Sequence, residues 1–164
     1  MSRAFCPFTF ATMLALAVVS AAQTKPDFSG TWTMDEARSV SPTFDSFVGP
    51  VIWTIRQTAD EMTVDIKRGS RAFTLTYKLS DKAPTGQAGG NAPTHRGYWD
   101  GEVLVTETAQ NIQGQTVTTR ETRRLQPGGR EMLVERLVKV EHGYTLRGTQ
   151  SYNTAKDVFV RATP

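Results

Sequence analysis

The chain predicts an all-β protein, an antiparallel meander of about 8–10 strands closed into a barrel, on three observations. Two-residue alternation recurs from residue 28 to the C-terminus, tight-turn residues separate the alternating stretches, and no helix of useful length interrupts them. A meander of that many strands must protect two edges, and closing the sheet on itself removes them.

The first strand is the most telling. Phe28-Ser29-Gly30-Thr31-Trp32-Thr33-Met34 places Phe28, Gly30, Trp32 and Met34 on one face and Ser29, Thr31 and Thr33 on the other. Glycine beside tryptophan lets another backbone approach closely while the indole fills a barrel end. After it, residues 35–50 hold the only place for a short helical or irregular segment, which Pro42 limits. Strands are then expected over 51–58, 61–67, 71–79, 95–99, 102–108, 115–126, 131–140, 144–153 and 157–161. The connections include Ala59-Asp60, Arg68-Gly69-Ser70, Asp100-Gly101, Ile112-Gln113-Gly114, Pro127-Gly128-Gly129 and Glu141-His142-Gly143, all suited to hairpins. Asp100-Gly101 is the strongest, since both residues tolerate positive φ. Residues 80–94, rich in Gly, Pro and Ala, read as a mobile loop at one mouth.

The first 22 residues read as a cleaved signal peptide, with Arg3 in a basic start, an apolar run over 11–19, and Ser20-Ala21-Ala22 before the cleavage point. That run falls short of the roughly 20 residues a membrane span requires. Residues 23–164 then form one domain, exported to the periplasm or beyond, with no integral membrane span. Cys6 is the single cysteine and is lost with the signal, which excludes thiol catalysis and thiolate metal sites. The formal charge of +3 is a small excess that includes Arg3, so nucleic-acid binding is not implied.

Alternation also sketches the interior. Met62, Val64 and Ile66 share a face, as do Phe73, Leu75, Tyr77 and Leu79, and Met132, Val134, Arg136, Val138 and Val140. Arg136 is anomalous there, because burying an unpaired guanidinium is very costly. The strand over 115–126 offers Val117, Thr119, Glu121, Arg123 and Leu125 on one face, and if that face points inward Glu121 and Arg123 enter the lumen beside Arg136. Tyr144, Leu146, Gly148, Gln150 and Tyr152 are expected to line a neighbouring strand. Two readings follow. Arg136, Arg123, Gln150, Tyr77 and Trp53 surround a ligand, with the arginines presenting donors to its head group. Alternatively, Arg136 pairs with Glu121 in a closed network and the core is solid.

No catalytic, metal or cofactor site emerges. His95 and His142 lack spaced carboxylates, no serine sits in a nucleophile elbow, and no Gly-rich phosphate loop opens a helix.

Asp27-Phe28-Ser29-Gly30-Thr31-Trp32, the meander behind it, and Arg161 after Val158-Phe159-Val160 together resemble lipocalins and fatty-acid-binding proteins, the calycins, and small exported lipocalin-like bacterial proteins. The resemblance implies a lipocalin-like barrel whose closure uses Gly30, Trp32 and Arg161, the guanidinium packing over the indole. It also implies a habit of holding small apolar or amphiphilic molecules, an anionic amphiphile being the sharper form. Departures are clear: three residues after Arg161 leave no room for a terminal helix, and the Arg-x-Tyr pair, the helical lid and the haem-binding histidine of related barrels are missing. Two alternatives stand beside ligand binding. One is an interaction module with a filled barrel that displays the loop over 80–94, and the other an envelope enzyme acting on a lipid-like substrate with His95 as base.

Overall fold

The computed structural model describes residues 25–40, 49–85, 94–142 and 150–163. The expected signal peptide over 1–22 lies outside the described residues, as do Tyr144, Leu146 and Gly148.

Among the described residues nine strands close into one barrel in chain order: β1 (Gly30–Met34), β2 (Val51–Gln57), β3 (Glu61–Arg68), β4 (Arg71–Ser80), β5 (Thr94–Asp100), β6 (Val103–Ile112), β7 (Gln115–Leu125), β8 (Glu131–His142) and β9 (Gln150–Arg161). A single 3₁₀ turn, Glu36–Arg38, follows β1, with the Asp35 side chain accepting from the Arg38 backbone N–H. The short irregular segment is therefore where the sequence placed it. β9 returns to β1 through Trp32↔Arg161, Thr33↔Val160 and Met34↔Phe159.

Two features depart from the expected meander. β4 and β5 run parallel, paired as Lys78↔Arg96, Leu79↔Gly97 and Ser80↔Tyr98. In a closed ring of strictly antiparallel neighbours the directions alternate, so the strand number must be even. A nine-strand ring needs at least one parallel contact, and here it falls between β4 and β5. Most of the segment expected to form a loop over 80–94, residues 86–93, lies outside the described residues. Gly97 gives the Leu79 side chain room at this seam, since a Cβ there would stand 2.7 Å from Leu79 Cδ2 and make the leucine end shift.

The other departure is at the C-terminus, where the strands expected over 144–153 and 157–161 merge across Thr154-Ala155-Lys156. They form a continuous β9 paired with β8 from Glu131↔Val160 to Glu141↔Gln150. Thr154 and Lys156 lie exposed on the outer face while Ala155 and Asp157 are buried within, so the alternation runs unbroken across the expected gap. Tyr152, expected in the lining, is 57% exposed.

One end of the barrel is sealed. β1 begins at Gly30, so Phe28 precedes the strand, fully buried, and its carbonyl accepts Trp32 Nε1–H at 2.8 Å. The Arg161 guanidinium lies 4.2 Å from the Trp32 ring centroid. It donates from Nε to Gly129 O at 2.9 Å, from Nη2 to Asp27 O at 3.3 Å and from Nη1 to Ser29 O. One side chain thus ties the first strand's approach to the β7–β8 turn across the seam. Arg161→Ala should cost about 2 kcal/mol, the worth of the cation–π contact and charged hydrogen bonds less re-solvation of the carbonyls, and a thermal melt should show a lower midpoint with an intact β-sheet spectrum.

Above this seal Trp32, Met34, Ile55, Met62, Val64, Leu104, Met132, Val134 and Phe159 interlock, all nearly or fully buried, and Trp53 packs on Phe159 with ring centroids 4.3 Å apart. This half of the barrel is solid.

Candidate ligand-binding site

The solid half ends at a layer of charge. β7, β8 and β9 are in register at Glu121↔Arg136↔Ala155 and Arg123↔Val134↔Asp157, and alternation turns all four charged side chains inward. Arg123, 1% exposed, donates to Glu121 Oε2 and to Thr106 Oγ1. Arg136 donates from Nε to Glu121 Oε1 at 2.8 Å, and its Nη2 stands 3.6 Å from Asp157 Oδ2. Arg123 is also held between aromatic rings, 5.3 Å from the Trp53 centroid and 5.7 Å from that of Tyr77. Two carboxylates thereby answer two guanidiniums. Burial alone would raise the Glu121 carboxyl, but the charges and hydrogen bonds of Arg123 and Arg136 outweigh it and hold the group below the ordinary range. Burial, followed by the Glu121 charge, raises the Tyr77 phenol instead.

Over this layer the lumen opens into a cavity of about 630 Å³. Tyr77, Glu121, Arg136 and Trp53 form its floor, as the first inward residues beyond the packed half on their strands. The walls differ in character. β3 and β4 contribute Ile66, Leu75 and Phe73, and β8 adds Val138, while β5–β7 contribute His95, Thr106, Thr108, Gln110 and Thr119, with Arg68 on the rim. His95 Nδ1 is 3.2 Å from Thr108 Oγ1 and its ring meets Tyr77 edge-on at 5.8 Å.

The structure brings four of the five expected ligand-binding residues together. Arg136, Tyr77 and Trp53 line the cavity floor, whereas Arg123 lies just beneath it, sealed from the space by Glu121 and Thr106. Gln150 opens β9 opposite Glu141, and its side chain is outside those described. Of the two sequence readings of the interior, the pairing is seen, since Arg136 meets Glu121, but the core is not solid throughout: the barrel is filled below that pair and open above it. Asp157 was missed because the apparent break at 154–156 hid its inward phase. The threonine wall was missed because Thr106 and Thr108 alternate with Val105 and Glu107, a pattern that reads equally well with either face inward.

A second, more open groove of about 520 Å³ lies on the outer surface of β7–β9, edged by Arg120, Glu135, Leu137, Lys156 and Val40, the last bridging to Lys156 through paired backbone hydrogen bonds. It is a surface furrow between charged side chains, whereas the lumen is lined by inward side chains of β2–β8.

No protein-family model matches the chain, and no curated protein sequence matches it. Among solved structures it is similar to a secretory abundant heat soluble (SAHS) protein from Ramazzottius varieornatus, 15% identical, with 87% of this chain and 100% of that one covered and a TM-score of 0.52. The fold is that of a lipocalin-like barrel. Lower-scoring neighbours are wild-type fluorescent protein UnaG (21% identity, 82% and 97% covered, TM-score 0.46) and the REP1-NXSQ fatty acid transporter (9%, 83% and 96%, TM-score 0.41). At 15% identity the likeness to the SAHS protein speaks for the fold alone.

Proposed function

We propose that this protein is exported and binds a small, partly apolar molecule in the open half of its barrel. The observation that carries the reading is the cavity of about 630 Å³ above a filled, charged floor, because its size suits a drug-sized ligand and its walls combine apolar surface with a few placed polar groups. Export rests on the Arg3, apolar and Ser20-Ala21-Ala22 sequence of the first 22 residues, and N-terminal sequencing of the product should begin near Gln23.

The anionic amphiphile that the sequence suggests would put its head near Arg136 and its tail along Phe73 and Leu75, and palmitate tests that occupant below against an uncharged one. Arg136 already faces Glu121 and Asp157, so its contribution to an anion is hydrogen bonding more than net charge, and Arg136→Lys should recover only part of it.

The test uses 1-anilinonaphthalene-8-sulfonate. Saturable, one-to-one binding is expected for the unmodified protein, and Val138→Trp, which fills the lumen from β8, should abolish it while leaving the melting temperature unchanged or higher. Binding that survives Val138→Trp would place the probe outside the lumen and sink the reading.

A further inference from the structure

The polar groups of the lumen do not converge on one point. His95, Thr108 and Thr119 are successive cross-strand partners on β5, β6 and β7, so they form a transverse row facing the cavity. With neighbouring strands about 4.8 Å apart, the row is about 10 Å wide. Thr106 lies one layer below it on β6 and Gln110 one layer above, while the facing β3–β4 wall is apolar at Ile66, Phe73 and Leu75, between Tyr77 at the floor and Arg68 at the rim. The floor adds no net charge, because Glu121 and Asp157 balance Arg123 and Arg136.

We propose that the ligand is a flat, uncharged ring system bearing several hydroxyl or carbonyl groups along one edge, and not a single-headed acyl chain. The inference rests on the lumen being the binding site and names what occupies it. A long alkyl chain has one polar end. His95 and Thr108 already meet each other at 3.2 Å, but a chain laid in this cavity would cover the remaining donor and acceptor capacity of the row, the Thr119 hydroxyl included, with methylene groups and return nothing. A polyhydroxylated fused ring presents one flat face to Phe73 and Leu75 and satisfies the row with its edge. A neutral ligand also leaves the paired floor undisturbed, whereas a carboxylate must compete with Glu121 for Arg136.

The experiment compares quercetin, flavone and palmitate by titration calorimetry on the unmodified protein and on Thr119→Val and Gln110→Leu, substitutions that keep side-chain bulk while removing a polar group. Flavone shares the ring skeleton of quercetin without its hydroxyls. Quercetin is expected to bind the unmodified protein most tightly, and each substitution should weaken it roughly 3–10-fold, the worth of one hydrogen bond, while leaving flavone unchanged or tighter. If palmitate or flavone binds more tightly than quercetin, or if the substitutions weaken all three equally, the edge-hydroxyl inference is overturned and the lumen reading stands. If none of the three saturates and the naphthalene sulfonate probe also fails, both fall together. Melting curves of each variant separate loss of contact from loss of fold.

Discussion

Glu121→Gln should lower the melting temperature by roughly 10–20 °C, the largest effect expected of any isosteric change in this barrel. The carboxylate holds Arg123 and Arg136 at once, and both guanidiniums are buried. Arg136 keeps Asp157 nearby, so the charge stranded by the substitution is Arg123, 1% exposed and left with the Thr106 hydroxyl and the neutral side chains of Trp53 and Tyr77. Breaking a buried pair from one side costs about 3–5 kcal/mol, and a domain of this size loses about 3–5 °C per kcal/mol. Adding Arg123→Met should return much of the loss, because it removes the stranded charge. The pH dependence has a definite sign. An unfolded glutamate titrates near 4.5 and the folded one lower, so the stability contributed by the Glu121 charge is complete above that value and is lost as pH falls through the folded pKa. Melts of the two proteins should therefore differ fully at pH 7 and converge once the pH has fallen through the lowered pKa of the folded carboxyl. A difference that persists unchanged into acid would show that Glu121 acts by packing and not by charge.

The sequence exposed the architecture more fully than the site, for a physical reason. Alternation, Asp100-Gly101 and the Gly30-Thr31-Trp32 triplet are local signals, and each produces a local result in the strands, turns and sealed end. The parallel β4–β5 contact is not local. It follows from the parity of a closed nine-strand ring, which no single segment carries. Arg136 and Glu121 were visible as charges out of phase with their surroundings, and phase alone suggested that they meet. Depth along the barrel axis was not visible. Arg123 and Arg136 both point inward, yet only the register of β7 against β8 shows that one lies under the floor and the other on it. The same holds for Thr108 and Thr119, ordinary strand residues individually, which become a polar row only once they are cross-strand partners.

Gly30→Ala should destabilise the barrel by about 3 kcal/mol, more than any other glycine-to-alanine change at the sealed end, through two separable causes. Its φ of +128° lies where an L side chain is strained, at a cost of about 1–3 kcal/mol. In addition, a Cβ there would stand 2.8 Å from Arg161 Nη1, the atom that donates to Ser29 O. The guanidinium end could swing away in principle, but doing so surrenders its carbonyl bonds and its place over Trp32. The two causes can be told apart in the Arg161→Ala background, where the steric conflict is gone and only the backbone strain remains. There Gly30→Ala should cost about 1–2 kcal/mol, so the double variant is more stable than the sum of the single effects predicts. Strict additivity in chemical denaturation would show that Arg161 does not depend on the missing side chain at Gly30. The close approach at the seam would then have no role in closing the barrel, leaving backbone freedom as the sole reason glycine stands beside this tryptophan.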